Sequence, residues 1–498
     1  MTHDLSAGFL SLRLTQGEVL KAELHDSGSI TLPDGSAEEH LPPFYAVSLL
    51  LHPSPTSQIR AELWLPVEGW NGRFLGTGNS GGGTRIIYRL LADGVRRGYA
   101  TANTVLGNGP DEDAAIGDPE GWADFGHRAT HGMTVVSKEV VAAFYGTPAR
   151  YAYFVGSSTG GQQALATAQR YPEDYDGIVS GVPAKNRTLL HAYCLWNYRA
   201  LHTADGTPLF QQEQMRALSE AAVEYFHPAQ QGTWPKPTFI PDPRASFAAR
   251  PGTTGQVAQE ILRMARERDR SLTDAHAAAI RLLYAGPVNP RTGERIYGPM
   301  PFGSELTRYG ILLQQDPGFA QGLFYTFRWA FGQSYDIFSF DFDQDLDSYH
   351  HTLAPYVNAN DADLTAFQRR GGKLLMYSGS ADPLVPYHDA LSYYERVVAH
   401  QQGLEKTQSF FRYFLMPGMG HGPDGRGAQY AATLMGGEQH PPVEAVAAWR
   451  EEGTSPDRLY AVRKSADGSG FCLPVYPYPY PEAARGGVDP IAPRYLLP

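Results

Sequence analysis

The chain has 498 residues, 42% of them hydrophobic and 19% charged, the balance of a globular protein rather than a disordered one. Its 41 Lys and Arg against 52 Asp and Glu leave a formal charge of −11, which argues against nucleic acid or an anionic membrane as a partner. Two cysteines, Cys194 and Cys472, allow at most one disulfide and exclude a thiolate-rich metal site.

In chain order, the opening MTHDLSAGFLSLRL lacks a basic head with a long apolar core, and no apolar run is long enough to span a bilayer. The expectation is a soluble, unexported chain in a reducing cytoplasm, with a trimmed secreted form left open. Residues 46–51 (AVSLLL) and 59–65 (IRAELWL) read as strands bounded by turn residues. From about residue 73, short apolar strands alternate with helical stretches, the pattern of a mostly parallel α/β sheet. Strand 73–75 enters the glycine-rich GTGNSGGGT, 133–144 has helical spacing, 151–155 is a strand, 160–170 a helix and 177–181 a strand.

Between roughly 184 and 340 the alternation stops. Helical pieces at 213–224 and 273–284 are separated by Pro-rich loops, including 228–252, and the segment reads as an inserted domain. Strands return at 373–377 and 411–416, followed by a helix at 442–452, and the Pro- and Tyr-rich tail from 473 reads as extended over the surface.

The segment AYFVGSSTGG at 152–161 places Gly156-Ser157-Ser158-Thr159-Gly160 between a strand and a helix. That is the G-x-S-x-G arrangement in which small neighbours allow a serine onto a sharp turn. A serine hydroxyl needs a base to take its proton and donors to hold the charge on the attacked carbonyl. In this arrangement an acid and then a histidine follow on later strands; SGSADPLVP offers Asp382 and PGMGHGPDG offers His421. The alternatives are an ordinary glycine turn, a capping aspartate and a surface histidine.

GNSGGG at 78–83 superficially resembles a chymotrypsin-type serine motif, but that type places its histidine and aspartate before the serine, and no plausible histidine loop or paired β-barrel pattern precedes Ser80. It is better suited to the oxyanion hole, with main-chain donors from Gly81 and Thr159 and Gly82 as the alternative to Gly81. A flexible glycine loop is the competing account. His127 and His131 share a helix face but have no Cys or Glu nearby to complete a metal site. His350, His351, His388 and His400 read as solvated or capping residues. FDFDQDLD at 340–347 lacks the glycine and glutamate of a calcium loop and reads as a solvated or helix-capping stretch.

The run YFVGSSTGGQQALATAQRYPEDYDGIVSGVPA resembles the tannase and feruloyl esterase family. WNGRFLGTGNSGG, LTDAHAAAIRLLYAGPVNPRTGERIYGPMPFGSE, GGKLLMYSGSADPLVP and MPGMGHG resemble further family blocks, so the likeness runs from about residue 40 to 480. It implies an α/β class protein with an α/β-hydrolase core, here 1–183 and 341–498, and a large inserted lid domain, here 184–340. It implies a serine carboxylesterase acting on small aromatic esters of the feruloyl or galloyl type, without a cofactor. Ser158 would be nucleophile, Asp382 the orienting acid and His421 the base. Phe324, Tyr325, Phe327, Trp329 and Phe331 are candidate lid contacts for an aromatic acid, with core packing as the alternative. Other aromatic monoesters of terephthalate or plasticiser type, a secondary-metabolite ester, or a silent binding protein are the other readings. Relatives pair a cysteine before the serine with one after the histidine; here those positions are Ser157 and Gly422, and a third expected cysteine is Tyr45. The region 223–244 lacks the acidic calcium pattern of many relatives, so no metal is expected.

Overall fold

The apolar runs of the sequence become strands of one nine-stranded sheet. The computed structural model describes residues 6–33, 35–109, 111–226, 238–240, 242, 253–464 and 470–479. The sheet contains β1 (Gly17–His25), β4 (Phe44–Leu51), β5 (Ile59–Pro66), β6 (Arg73–Thr77), β7 (Ala100–Thr104), β8 (Tyr151–Ser157), β9 (Gly177–Gly181), β10 (Lys373–Gly379) and β11 (Phe411–Met416). A small hairpin, β2 (Ser29–Thr31) with β3 (Ala37–Glu39), stands outside it. The order is β1-β4-β5-β7-β6-β8-β9-β10-β11, antiparallel from β1 to the β5/β7 pair and parallel from β7 to β11. This is the mixed α/β architecture expected from the alternation of strands and helices.

Both faces of the parallel part are covered, which is why its strands are apolar at successive positions. Phe154, Ile178, Leu374, Met376 and Tyr413 face the main cluster, under the helices Ala129–Tyr145 and Thr159–Arg170. Their neighbours Tyr153, Val179, Leu375 and Phe414 face the opposite cluster, under Val443 and Val446 of the helix Pro442–Glu452. Because β6, β8, β10 and β11 run the same way, the loops after them open on one edge of the sheet. Those loops carry the glycine stretch, Ser158, Asp382 and His421.

Within 184–340, residues from Ala200 to Phe302 build a separate cluster around the helices Gln212–Phe226, Thr254–Arg268 and Asp274–Ala285. Leu190 to Tyr198 and Leu313 to Phe340 instead pack into the main cluster. Two strands of the large sheet escaped the sequence reading, as did the small hairpin and the strands after β11. In β1 only Val19 and Ala22 are buried, and Leu20 is exposed among charged residues, while β7 is ATANT, fully buried despite its polar composition. The tail is not wholly a surface strap: β15 (Gly470–Val475) pairs with β14 (Leu459–Lys464), in a second sheet with β12 (Tyr430–Met435) and β13 (Glu438–His440). Residues 480–498, and most of 228–252, lie outside the described residues. Cys194 and Cys472 are buried free thiols in different clusters. Among the described residues no helix is long and apolar enough to cross a membrane.

Candidate active site

Ser158 sits between β8 and the helix Thr159–Arg170 with φ 61° and ψ −118°, a backbone conformation few non-glycine residues adopt. Such strain costs on the order of 1–3 kcal/mol and persists only where the surroundings impose it. Here they do. The Ser158 N–H donates to Gly181 O at 2.9 Å, and Ser158 O accepts from Ala184 N and Gln162 N, each at 3.1 Å. The flanking glycines are required by space: a Cβ on Gly156 would lie 2.7 Å from Gly160 Cα, and one on Gly160 would lie 3.1 Å from Gly78 Cα.

The histidine and acid reach this serine from two other loops. His421 Nε2 lies 2.9 Å from Ser158 Oγ, and His421 Nδ1 lies 2.8 Å from Asp382 Oδ2. Asp382 is fully buried, and its Oδ1 accepts from the backbone N–H groups of Leu384 at 2.9 Å and Val385 at 2.8 Å. Three N–H donors thus hold this buried carboxylate in place. A carboxylate that only accepts fixes the proton on Nδ1 of the neutral ring and leaves Nε2 free to accept from the serine hydroxyl.

The glycine loop lies against the start of the serine helix. Asn79 O accepts from Gly160 N at 2.9 Å, and Asn79 N donates to Gln163 Oε1 at 2.8 Å. The Asn79 amide also donates to Thr104 O and Arg85 O at 2.8 and 2.9 Å, so buried side chains set this loop. Gly81 has φ +56° with no atom within 4 Å of a Cβ, whereas one on Gly82 would meet Glu112 Oε1 at 2.5 Å. Thr159 Oγ1 donates to Gly81 O at 2.6 Å. Since a trans peptide points its N–H opposite to its C=O, the Gly82 N–H faces away from Thr159. Of the two alternatives, that leaves Gly81. The Thr159 N–H is the first of its helix and has no intrahelical acceptor.

The five aromatic residues proposed as lid contacts are placed differently. Phe324, Tyr325, Phe327 and Trp329 are buried in the main cluster. Phe327 stacks on Tyr349 with centroids 4.6 Å apart, and Trp329 meets Phe125 edge-on and donates to Glu112 O. Phe331, half-buried, stacks on Tyr335 at 4.4 Å. These rings are occupied by other protein rings, so packing accounts for them. A cavity of 740 Å³ is lined by Arg295, Tyr297, Phe302, His388 and Arg396 among others, but by none of Ser158, Asp382 and His421.

The remaining candidates serve the fold. His127 Nδ1 lies 2.7 Å from Tyr171 Oη and His131 Nδ1 lies 2.8 Å from Asp174, so both are engaged by the end of the serine helix and the loop after it. His350 and His351 meet Thr188 and the Asp347 carbonyl, His400 pairs with Asp363, and His388 stacks on Tyr387. In the acidic run, Asp343 pairs with Arg291 and Asp341 accepts from the Asp343 and Gln344 N–H groups. The region 223–244, where no calcium was expected, lies mostly outside the described residues. Tyr45 fills the main cluster beside Phe9 and Phe144.

Ser157, exposed beside the candidate nucleophile, turns to Tyr377, with 3.3 Å between the two hydroxyl oxygens. A Cβ on Gly422 would find only Asp424 Oδ1 within 4 Å, so Ser157 lies beyond the roughly 3.8 Å mean Cβ separation of a disulfide.

What holds the His421 loop came from residues the sequence did not single out. Asp424 Oδ1 accepts from Gly422 N at 3.0 Å and Oδ2 from Tyr309 N at 3.3 Å. The Tyr309 ring meets His421 edge-on at 5.1 Å. Arg463, from β14, donates to Gly425 O at 2.8 Å and Gly427 O at 2.9 Å, and Gly418 N donates to Ser380 Oγ at 2.7 Å. Asp424 could have been noticed as the aspartate in the same glycine loop. Tyr309 and Arg463, more than 35 residues from His421 on either side, carry no local signal.

A family model described as tannase and feruloyl esterase matches residues 50–490 of the chain. An uncharacterized esterase of Xanthomonas campestris pv. campestris is 32% identical, over 93% of this chain and 84% of that protein. Feruloyl esterase B of Aspergillus niger is 29% identical, over 85% of this chain and 80% of its own. The crystal structure of feruloyl esterase B from Aspergillus oryzae superimposes with a TM-score of 0.81 and 25% identity, covering 96% of each chain.

Proposed function

Because this chain belongs to the tannase and feruloyl esterase family of carboxylic ester hydrolases, we propose that it is a serine esterase for hydroxylated aromatic acids of feruloyl or galloyl type. The observation that carries the mechanism is the unbroken line from Asp382 Oδ2 through the His421 ring to Ser158 Oγ, at 2.8 and 2.9 Å. The aromatic acyl group rests on the family and on the relatives named feruloyl esterase.

In the acylation half, Ser158 Oγ attacks the ester carbonyl as His421 Nε2 takes its proton. The tetrahedral oxyanion is held by the Gly81 and Thr159 N–H groups. Collapse breaks the bond to the alcohol, whose oxygen receives the proton from His421, and leaves an acyl-serine. Water then attacks that ester and gives its proton to His421, and the second collapse releases the acid and returns the proton to Ser158. Asp382 keeps the ring oriented and stabilises the imidazolium in both halves.

The segment 184–340 acts in this reading as the lid, since Tyr309 from it touches the His421 ring. Tyr309 is the aromatic side chain best placed to meet a substrate ring, a role the sequence reading had given to 324–331. An intact proton path also argues against a silent binding protein. The test is an ester panel of methyl ferulate, methyl gallate and an aliphatic methyl ester, run with the parent and Ser158→Ala. The aromatic esters should turn over fastest, and Ser158→Ala should remove that turnover. Retained turnover contradicts the nucleophile, and preference for the aliphatic ester contradicts the substrate class.

A further inference from the structure

Arg187 opens the helix Arg187–Leu201, and only 4% of its surface is exposed. Its guanidinium meets neutral acceptors: Nη2 donates to Thr159 Oγ1 at 2.9 Å and to Gln162 Oε1 at 2.6 Å, and Nε donates to Gln162 Oε1 at 2.9 Å. The Phe125 ring centroid lies 5.4 Å from it. Among the described residues it forms no ion pair. Several titratable groups around it are neutral as well, while the carboxylates of Glu112 and Asp382, which act on Tyr325 and Cys194, do not pair with it. Burial drives His191 well below its ordinary value, pushes the Cys194 thiol up to about 12 and raises Tyr325.

Removing a cation from water without a counter-ion is costly. That cost is offset where the protein creates negative charge during its reaction, and the acceptor of Nη2 belongs to the residue directly after Ser158. We propose that Arg187 is a positioning residue of the oxyanion hole, holding the Thr159 hydroxyl and through it the Gly81 carbonyl, with its uncompensated charge favouring the anionic tetrahedral state. The chain of contacts is continuous, since Thr159 Oγ1 accepts from Arg187 and donates to Gly81 O at 2.6 Å. It links the two residues whose N–H groups the proposed mechanism assigns to the oxyanion, and it rests on the reading of Ser158 as nucleophile. A direct grip on a substrate carboxylate fits less well, because Nε and Nη2 are already engaged and the side chain is buried.

The test compares the parent with Arg187→Met and Arg187→Gln, measuring kcat and KM on methyl ferulate and inhibition by phenylboronic acid, which forms a tetrahedral anion on the serine. Arg187→Met should lower kcat roughly 10- to 100-fold, somewhat less than loss of a direct oxyanion donor, with KM within about two-fold. Phenylboronic acid should weaken by the same factor as kcat. Arg187→Gln keeps an amide near Thr159 without the charge and should lose about 10-fold in both, so the question survives a Met variant that fails to fold. Unchanged kcat in a folded variant, or loss of kcat with boronic acid binding intact, overturns the proposal. So does a rise in KM confined to an ester that also carries a free carboxylate, since that would make Arg187 a substrate anchor. Fluorophosphonate labelling separates the two readings: an unlabelled parent contradicts the nucleophile, whereas a labelled parent with unaffected variants contradicts only the role of Arg187.

Discussion

The serine turn and the histidine loop meet at one hydrogen bond but are built on different principles. The serine turn is confined by backbone: glycines at 78 and 156 lie too close for any Cβ, Gly160 leaves little room for one, and Ser158 is pinned on both its N–H and C=O. The histidine loop is confined by groups from elsewhere, the Ser380 and Arg463 side chains and the backbone N–H and ring of Tyr309, with Asp424 as the local link. The first design tolerates almost no substitution, while the second spreads the constraint over several weaker contacts.

That contrast can be broken most severely at the join. Asp382→Asn keeps the shape but presents a donor where His421 Nδ1–H needs an acceptor, and kcat should fall by about 10⁴, as for the same change in serine proteases. Steady-state kinetics with an unchanged melting temperature would check it. On the serine side, Gly156→Ala forces a Cβ against the Gly160 backbone. We expect a loss of activity of about 10²-fold or more together with reduced stability, since backbone and not a movable side chain must shift. On the histidine side, Arg463→Met removes two hydrogen bonds from charged nitrogen to loop carbonyls. At about 1.5–3 kcal/mol for a charged hydrogen bond before relaxation, kcat should fall by about ten-fold while KM on methyl ferulate stays near the parent value. An Arg463→Met effect as large as that of Gly156→Ala would erase the distinction between the two loops.

The smallest effect concerns the far end of the serine helix. Burial drives His127 down to about 3 from 6.5, so the folded protein keeps it neutral where the unfolded chain takes a proton. Stability from this residue is complete above pH 6.5 and is lost as the pH falls from there toward 3. At pH 5 the loss is at most about 2 kcal/mol. His127→Gln should flatten the acid side of the melting temperature profile between pH 7 and 5, and an equal slope in both proteins would contradict this.

What could be read in the sequence follows the same division. The strand, G-x-S-x-G and helix around Ser158 are contiguous, and Asp382 and His421 each follow a strong apolar strand, so order and spacing expose them. The braces do not announce themselves, because Arg463 is one arginine on an amphipathic strand until β14 packs beside the loop. β7 was missed because Thr and Asn in ATANT look like a turn, yet they are buried and pin the glycine loop through Asn103, which donates to Thr77 O at 2.9 Å. The aromatic run at 324–331 was legible as apolar, but periodicity does not distinguish a ring that packs from one that binds.

The central claim is that one serine, activated by His421, does the chemistry. Labelling the folded parent and His421→Ala with a fluorophosphonate, then mapping the adduct by peptide mass spectrometry, tests it directly. The account predicts a single adduct on Ser158 in the parent and a severe loss of labelling rate in the variant. An adduct on Ser80 or Ser157, or equal labelling of both proteins, would contradict it.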